Sequence, residues 1–146
     1  GYGLGIPVVP VSSMACIAQS FTTVTNPPLV FVGLTARLEE VYYGAYKFEE
    51  HIAVPVIPEG VVDVSELPRL PVGDWLGCGN AMPGLSKKIQ EATGVSFKSI
   101  SAETVPSIRN LLSLGSFKLG RGESVSAMRA TPVYLREQVA SRPGKR

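Results

Sequence analysis

Residues 29–48 read LVFVGLTARLEEVYYGAYKF. Two apolar runs, Leu29–Leu34 and Glu40–Phe48, are rich in Val, Tyr and Phe, the residues that fit a pleated strand. The short segment 35–39 separates them, so the runs predict antiparallel neighbours. Both carry apolar residues at successive positions rather than at every second one. A strand of that kind is covered on both faces and sits inside a larger sheet.

Working outward, Ile6–Val11 is a short Val-rich run that predicts a buried strand, with Pro7 and Pro10 placing it at an edge or a strand end. Ser12 or Ser13 offers an N-cap for a helix whose face is Met14, Ile17, Ala18 and Phe21, at i, i+3, i+4 and i+7. Residues 22–28 interrupt that pattern. Beyond the hairpin, a strand is expected around Ala53–Ile57 within a Pro-rich stretch. A short helix is expected near Val64–Leu67, capped by Asp63 or Ser65. Residues 74–78 predict another strand, ending in the turn Gly77-Cys78-Gly79-Asn80. Leu85, Ile89 and Ala92 have helical spacing, with Gly94 as the stop. Residues 95–100 predict a strand. Ser101 is placed to cap a helix carrying Val105, Ile108, Leu111 and Leu112, with Glu103 in its first turn. Pro132 predicts an extended segment over Thr131–Arg136. Strands and helices alternate after the hairpin, so the expectation is one α/β domain over 1–146, a mixed sheet with flanking helices.

The 146 residues are 45% hydrophobic and 18% charged, a globular composition. No apolar run approaches a membrane span. No basic-then-apolar leader opens the chain. Cys16 and Cys78 form no Cys-x-x-Cys pair and read as buried free thiols in a reducing cytoplasm. Charge is uneven. Residues 1–73 hold three basic and seven acidic residues, net −4; residues 74–146 hold eleven basic and five acidic, net +6. The basic end, with Arg136, Arg142, Lys145 and Arg146, is a weak attraction for phosphate and otherwise a solvated tail.

Catalytic chemistry finds little here. His51 is the single histidine. A zinc peptidase needs a set such as His-Glu-x-x-His, and a serine peptidase needs a histidine base beside a nucleophile, often on a Gly-x-Ser-x-Gly elbow. Neither pattern occurs, and His51 in its Glu-Glu-His run reads as a solvated strand end. Gly77, Gly79 and Asn80 have two readings. They form a tight turn, or a turn whose backbone approaches a nucleotide, since glycine lets N–H groups come close to phosphate. Arg37, Glu39 and Glu40 read as an exposed turn with a surface ion pair, or as a partner contact.

Four segments, in order, resemble the TsaB (YeaZ) family. They are Gly5-Ile-Pro-Val-Val-Pro-Val-Ser-Ser13, then Ala36-Arg37 with Glu40-Val41-Tyr42, then Gly77-x-Gly79 with Ala81, and finally Pro132-Val-Tyr134-Leu-Arg136. The second and fourth are the more specific. Thr35 stands where that family usually has Asp, and its Gly-Pro-Gly-Ser-Phe-Thr-Gly-x-Arg segment does not occur here. The resemblance implies the C-terminal half of an actin-like, Hsp70-like (ASKHA) two-domain protein whose N-terminal domain is largely absent. It also implies a cytoplasmic, non-catalytic subunit supporting TsaD, with TsaE, in transfer of threonylcarbamoyl to adenosine 37 of tRNA. The alternatives are a glycoprotease-like endopeptidase and an ATP-binding module of the actin-like class. The implied partners are TsaD, TsaE and a second copy, with tRNA reached through the complex and no membrane. No cofactor is expected in this chain, and ATP or ADP belongs to the intact complex. Arg37, Glu40, Tyr42, Tyr134 and Arg136 are the implied partner or structural residues. Tyr134 and Arg136 are expected to anchor the C-terminal segment, the tyrosine by burying its ring.

Overall fold

A computed structural model describes residues 2–22, 28–102 and 105–135. The element order is α1 (Ser13–Ala18), β1 (Leu29–Arg37), β2 (Glu40–Glu49), β3 (Ile52–Asp63), β4 (Trp75–Cys78), α2 (Met82–Thr93), β5 (Phe97–Ser101) and α3 (Ile108–Gly120). The five strands form one sheet in the order β3-β2-β1-β4-β5. β2 is antiparallel to both β1 and β3, and β4 is parallel to both β1 and β5. The sheet is therefore mixed, as the residue pattern predicts.

β1 is the centre of this arrangement. Val30, Phe31 and Val32 are fully buried, and their side chains alternate between the two faces. Phe31 belongs to a cluster with Val41, Ala45, Trp75, Met82 and Ile89, covered by α2. Val30 and Val32 belong to the opposite cluster, with Met14, Ile17, Tyr46, Cys78 and Leu114, covered by α1 and α3. Burial of a Val or Phe side chain contributes about 1.5–3 kcal/mol, so both faces of β1 stabilise the domain and neither is free to turn to water. Both cysteines are buried, and neither is in a disulfide.

Local signals set most of the boundaries. Ser12 caps α1 by accepting from the N–H groups of Met14 and Ala15. Asp63 accepts from the Ser65 N–H at a 3-10 turn over Val64–Glu66. Gly94 ends α2 in the left-handed conformation, φ 77°. β3 runs through Pro55 and Pro58, longer than its pattern suggests. It lies at the sheet edge, where proline removes no bond from a second neighbour.

Two expectations fail. Ile6–Val11 is not a strand: only Val8 pairs, exchanging hydrogen bonds with Val125 at 2.9 and 2.8 Å. Pro7 and Pro10 lack the donors a ladder needs. Ser101 does not cap the third helix; it ends β5. The cap is Ser107, which accepts from the Asn110 N–H. Pro106 steers Val105 away from helical geometry, so the helix starts beyond it.

Gln19 joins α1's C-terminal turn to the β2–β3 hairpin. It is buried, its Nε2 donates to the His51 carbonyl, and its Oε1 accepts from the Ala53 N–H, both at 2.7 Å. The hairpin turn holds Glu50 and His51 at φ 49° and 65°, an unusual conformation for both. Gln19→Ala strands the buried Ala53 N–H, while the His51 carbonyl still accepts from the Thr22 hydroxyl, so it is expected to destabilise the domain by about 1–3 kcal/mol, the cost of one unsatisfied group. Ser12→Ala, the loss of a half-buried cap, is expected to cost about 1 kcal/mol. Urea denaturation of the two variants checks the order.

Candidate functional site

β1, β4 and β5 run in the same direction, so their carboxyl ends lie at one end of the sheet. In open α/β sheets that end is where ligands usually bind. β1 projects past the last β4 pairing, Val32 with Cys78, and turns into β2. Thr35, Arg37, Glu40 and Tyr42 therefore flank the turn that follows β4. Asn80 is bonded to Thr35 of the hairpin, while Gly77 lies on the α2 side of the sheet and Tyr42 on the α1–α3 side.

The turn is bonded into the fold at each step. Gly79 N–H donates to the Ser101 carbonyl (3.0 Å), and Ala81 N–H to the Gly33 carbonyl (3.1 Å). Met82 N–H donates to the Gly79 carbonyl (3.1 Å) and opens α2. Asn80 Oδ1 accepts from the Thr35 N–H at 2.9 Å. Gly79 has φ 111°, and a Cβ there would fall on the Gly33 carbonyl oxygen. Gly77 lies under the Met82 methyl and the Phe97 ring, side chains that a Cβ there would have to displace. Gly79 is thus required by close backbone approach, Gly77 is crowded by side chains alone, and the amides of Gly79, Ala81 and Met82 already donate within the chain.

Arg37 and Glu40 are register partners across a bulge at the end of the β1–β2 hairpin. Arg37 is exposed and Glu40 half-buried. Tyr42 is half-buried opposite Leu34 and packs on the α1–α3 side. Between them, Glu39 Oε1 meets Lys88 Nζ at 2.5 Å, tying the hairpin to α2 across an exposed pair of small energetic value. Tyr134 does not bury its ring. It is 77% exposed, and the neighbouring Leu135 makes the apolar contact with the domain instead. Arg136 lies outside the described residues. His51 sits exposed on the β2–β3 turn. Among the described residues no three His, Cys, Asp or Glu side chains gather as a metal-binding group. No helix there is long and apolar enough to cross a membrane.

A second feature was not legible in the pattern. A groove of about 1250 Å³ runs between the α1 entry, β3 and α3, with Val11, Pro55 and Phe117 among its walls. At its base Tyr46, itself buried, donates its hydroxyl to Glu59 Oε1. Burial, then the charge and hydrogen bond of Glu59, push the Tyr46 phenol well above the usual tyrosine range. The only hint was Glu59 between Pro58 and Gly60, on a strand otherwise apolar up to its final Asp63.

The chain is 28% identical to the tRNA threonylcarbamoyladenosine biosynthesis protein TsaB of Escherichia coli (strain K12), over 152 residues that take in 98% of this chain and 64% of that protein. YeaZ from Pseudomonas aeruginosa superimposes with a TM-score of 0.78 at 31% identity, covering 92% of this chain and 62% of that one. A crystal structure described as an uncharacterized protein with similarity to peptidase YEAZ, also from Pseudomonas aeruginosa, matches with a TM-score of 0.78 at 32% identity and the same coverage. Along nearly its whole length the chain is similar to these TsaB and YeaZ proteins. It shares the actin-like fold of those YeaZ structures, and it spans less than two thirds of the length of these relatives. No protein-family model matches it.

Within this TsaB/YeaZ fold, Gly79→Ala is expected to cost about 3 kcal/mol or more, since it combines positive-φ strain with a collision against backbone. Gly84→Ala, where a Cβ meets nothing within 4 Å, is expected to be neutral or to stabilise by up to about 1 kcal/mol. Thermal unfolding of the pair checks this. For Tyr46, the folded phenol titrates above the unfolded one. Its contribution is fully present below about pH 10, the unfolded value, and is lost as pH rises beyond it. Tyr46→Phe is expected to flatten that alkaline loss and to cost about 1–3 kcal/mol at neutral pH, where Glu59 loses its donor. Urea titrations at pH 7 and pH 10.5 read both effects.

Proposed function

We propose that this chain is part of a non-catalytic subunit in the biosynthesis of tRNA threonylcarbamoyladenosine, supporting TsaD together with TsaE in transfer to adenosine 37. The observation that carries this reading is the likeness to the Escherichia coli TsaB protein along 98% of the chain. The residue chemistry supports it. The end of the sheet where an actin-like fold would hold a ligand is filled by the chain's own hydrogen bonds, which suits a scaffold. In this reading Arg37, Glu40 and Tyr42 stiffen or present the hairpin to a partner, tRNA is reached through the complex, and any ATP or ADP is held by the assembled complex. The setting is cytoplasmic, where tRNA and its modifying enzymes meet.

The peptidase reading rests on one word in the description of a Pseudomonas structure. It would need a base beside a nucleophile, and His51 projects from an exposed turn instead. His51→Ala on the intact protein is therefore expected to leave tRNA modification unchanged.

Reconstitution tests the main reading. The intact protein that contains this chain, mixed with TsaD, TsaE, the threonylcarbamoyl-AMP synthase TsaC, ATP, threonine, bicarbonate and unmodified tRNA, is expected to restore threonylcarbamoyladenosine at least tenfold over the mixture lacking it. Equal modification with and without the protein, measured by nucleoside chromatography and mass spectrometry, contradicts the proposal.

A further inference from the structure

One carboxylate in the groove beside Tyr46 has no cation. The groove between the α1 entry, β3 and α3 is walled by Val11, Pro55, Pro58, Leu114, Phe117 and Leu135. Glu59 of β3 stands half-buried among them. Its Oε1 accepts from the hydroxyl of Tyr46, a residue only 1% exposed, so the carboxylate is positioned from inside the fold. Its Oε2 has no hydrogen-bond partner among the described residues. No described lysine or arginine lies within ion-pair distance of it.

The basic side chains of the groove are already engaged. Lys47 pairs with Glu49 at 2.6 Å. Lys118 and Arg121 share Glu123, at 3.3 and 3.1 Å, and the Arg121 guanidinium also stands 5.4 Å from the centroid of the Phe117 ring. The α3 wall thus carries one surplus positive charge, and the β3 wall carries the uncompensated Glu59. A cationic ligand is therefore oriented, with its charge against β3 and away from α3.

A carboxylate among apolar groups is costly unless an opposite charge satisfies it. A small inorganic cation would do so and leave the apolar walls uncovered. Lysine and arginine side chains suit the place better, because their methylene stems cover apolar surface while the head stays polar. The size points the same way. At about 1250 Å³ the groove exceeds the roughly 300–1,000 Å³ of small-molecule pockets, and it is open along its length, as an extended stretch of polypeptide requires.

We propose that this groove docks an extended segment of a partner protein that carries one lysine or arginine among apolar residues, with the cationic head on Glu59. The proposal is independent of the functional reading above.

The probe is the peptide N-acetyl-Leu-Arg-Leu-amide, with N-acetyl-Leu-Gln-Leu-amide as its neutral counterpart, titrated to about 10 mM into the isotopically labelled intact protein that contains this chain. The arginine peptide is expected to shift the amide resonances of Glu59 and Phe117 with a dissociation constant on the order of 1 mM, the strength of a few contacts on an open surface. The glutamine peptide is expected to bind at least tenfold more weakly, a comparison that leaves the protein untouched. Glu59→Gln keeps an acceptor for the Tyr46 hydroxyl, so it is expected to keep the native spectrum elsewhere while losing at least tenfold in affinity for the arginine peptide and none for the glutamine peptide. No shift at Glu59 and Phe117 up to the highest concentration overturns the proposal. So does equal binding of the two peptides, or undiminished binding to the Glu59→Gln protein. Binding that appears only after residues 136–146 are deleted also overturns it, because the occupant is then the chain's own basic end.

Discussion

The approach of Gly79 to Gly33 is the contact on which the rest of the domain depends. The Gly33 carbonyl accepts from Ala81, and there is no room for a Cβ at Gly79 between the two strands. That closeness sets the parallel register of β4 on β1, since Cys78 must lie beside Val32 for the turn to reach over. It also aims α2. Ala81 and Met82 are held by the turn, and Met82 then drops onto Gly77 and the Phe31 side of the sheet. Asn80 bonds back to Thr35, which fixes the end of the β1–β2 hairpin. One pair of glycines thus connects strand register, helix direction and hairpin position.

The consequence for function is a division between rigidity and chemistry. An end-of-sheet turn with free amides is a ready anion site. Here the amides of Gly79, Ala81 and Met82 donate to carbonyls of the same chain. A polar end organised in this way offers shape and fixed side chains, which are the assets of a subunit that positions a partner. This is the physical ground for proposing that the chain supports transfer chemistry carried out elsewhere in a complex.

Much of the fold was legible because local chemistry and tertiary packing agree. Val30, Phe31 and Val32 are β-branched or aromatic and also fully buried, so the strand pattern and the core coincide. Ser12, Asp63 and Gly94 mark element ends by side-chain or backbone geometry that depends only on near neighbours. The failures share the opposite character. Val8 and Val9 have strand composition, but Pro7 and Pro10 leave too few donors for a ladder. Ser101 looks like a cap until Pro106 delays the helix to Ser107. Ile108, Leu111 and Leu112 have the periodicity of a buried face, yet periodicity does not say which side of a helix meets the sheet, and Asn110 with Leu114 makes that contact. The candidate site was half legible: glycine spacing flagged the turn, while its hydrogen bonds to Ser101, Gly33 and Thr35 depend on strand order that no local signal carries.

Amide hydrogen exchange under native conditions tests the central contact most directly. If the turn is an internally bonded joint of the sheet, the amides of Thr35, Gly79 and Ala81 exchange only through near-global opening, with free energies close to those of Phe31 and Val32 in β1. Exchange of Gly79 and Ala81 at the rate of the exposed β2–β3 turn residues would contradict the account, because it would leave those amides available and the joint loose.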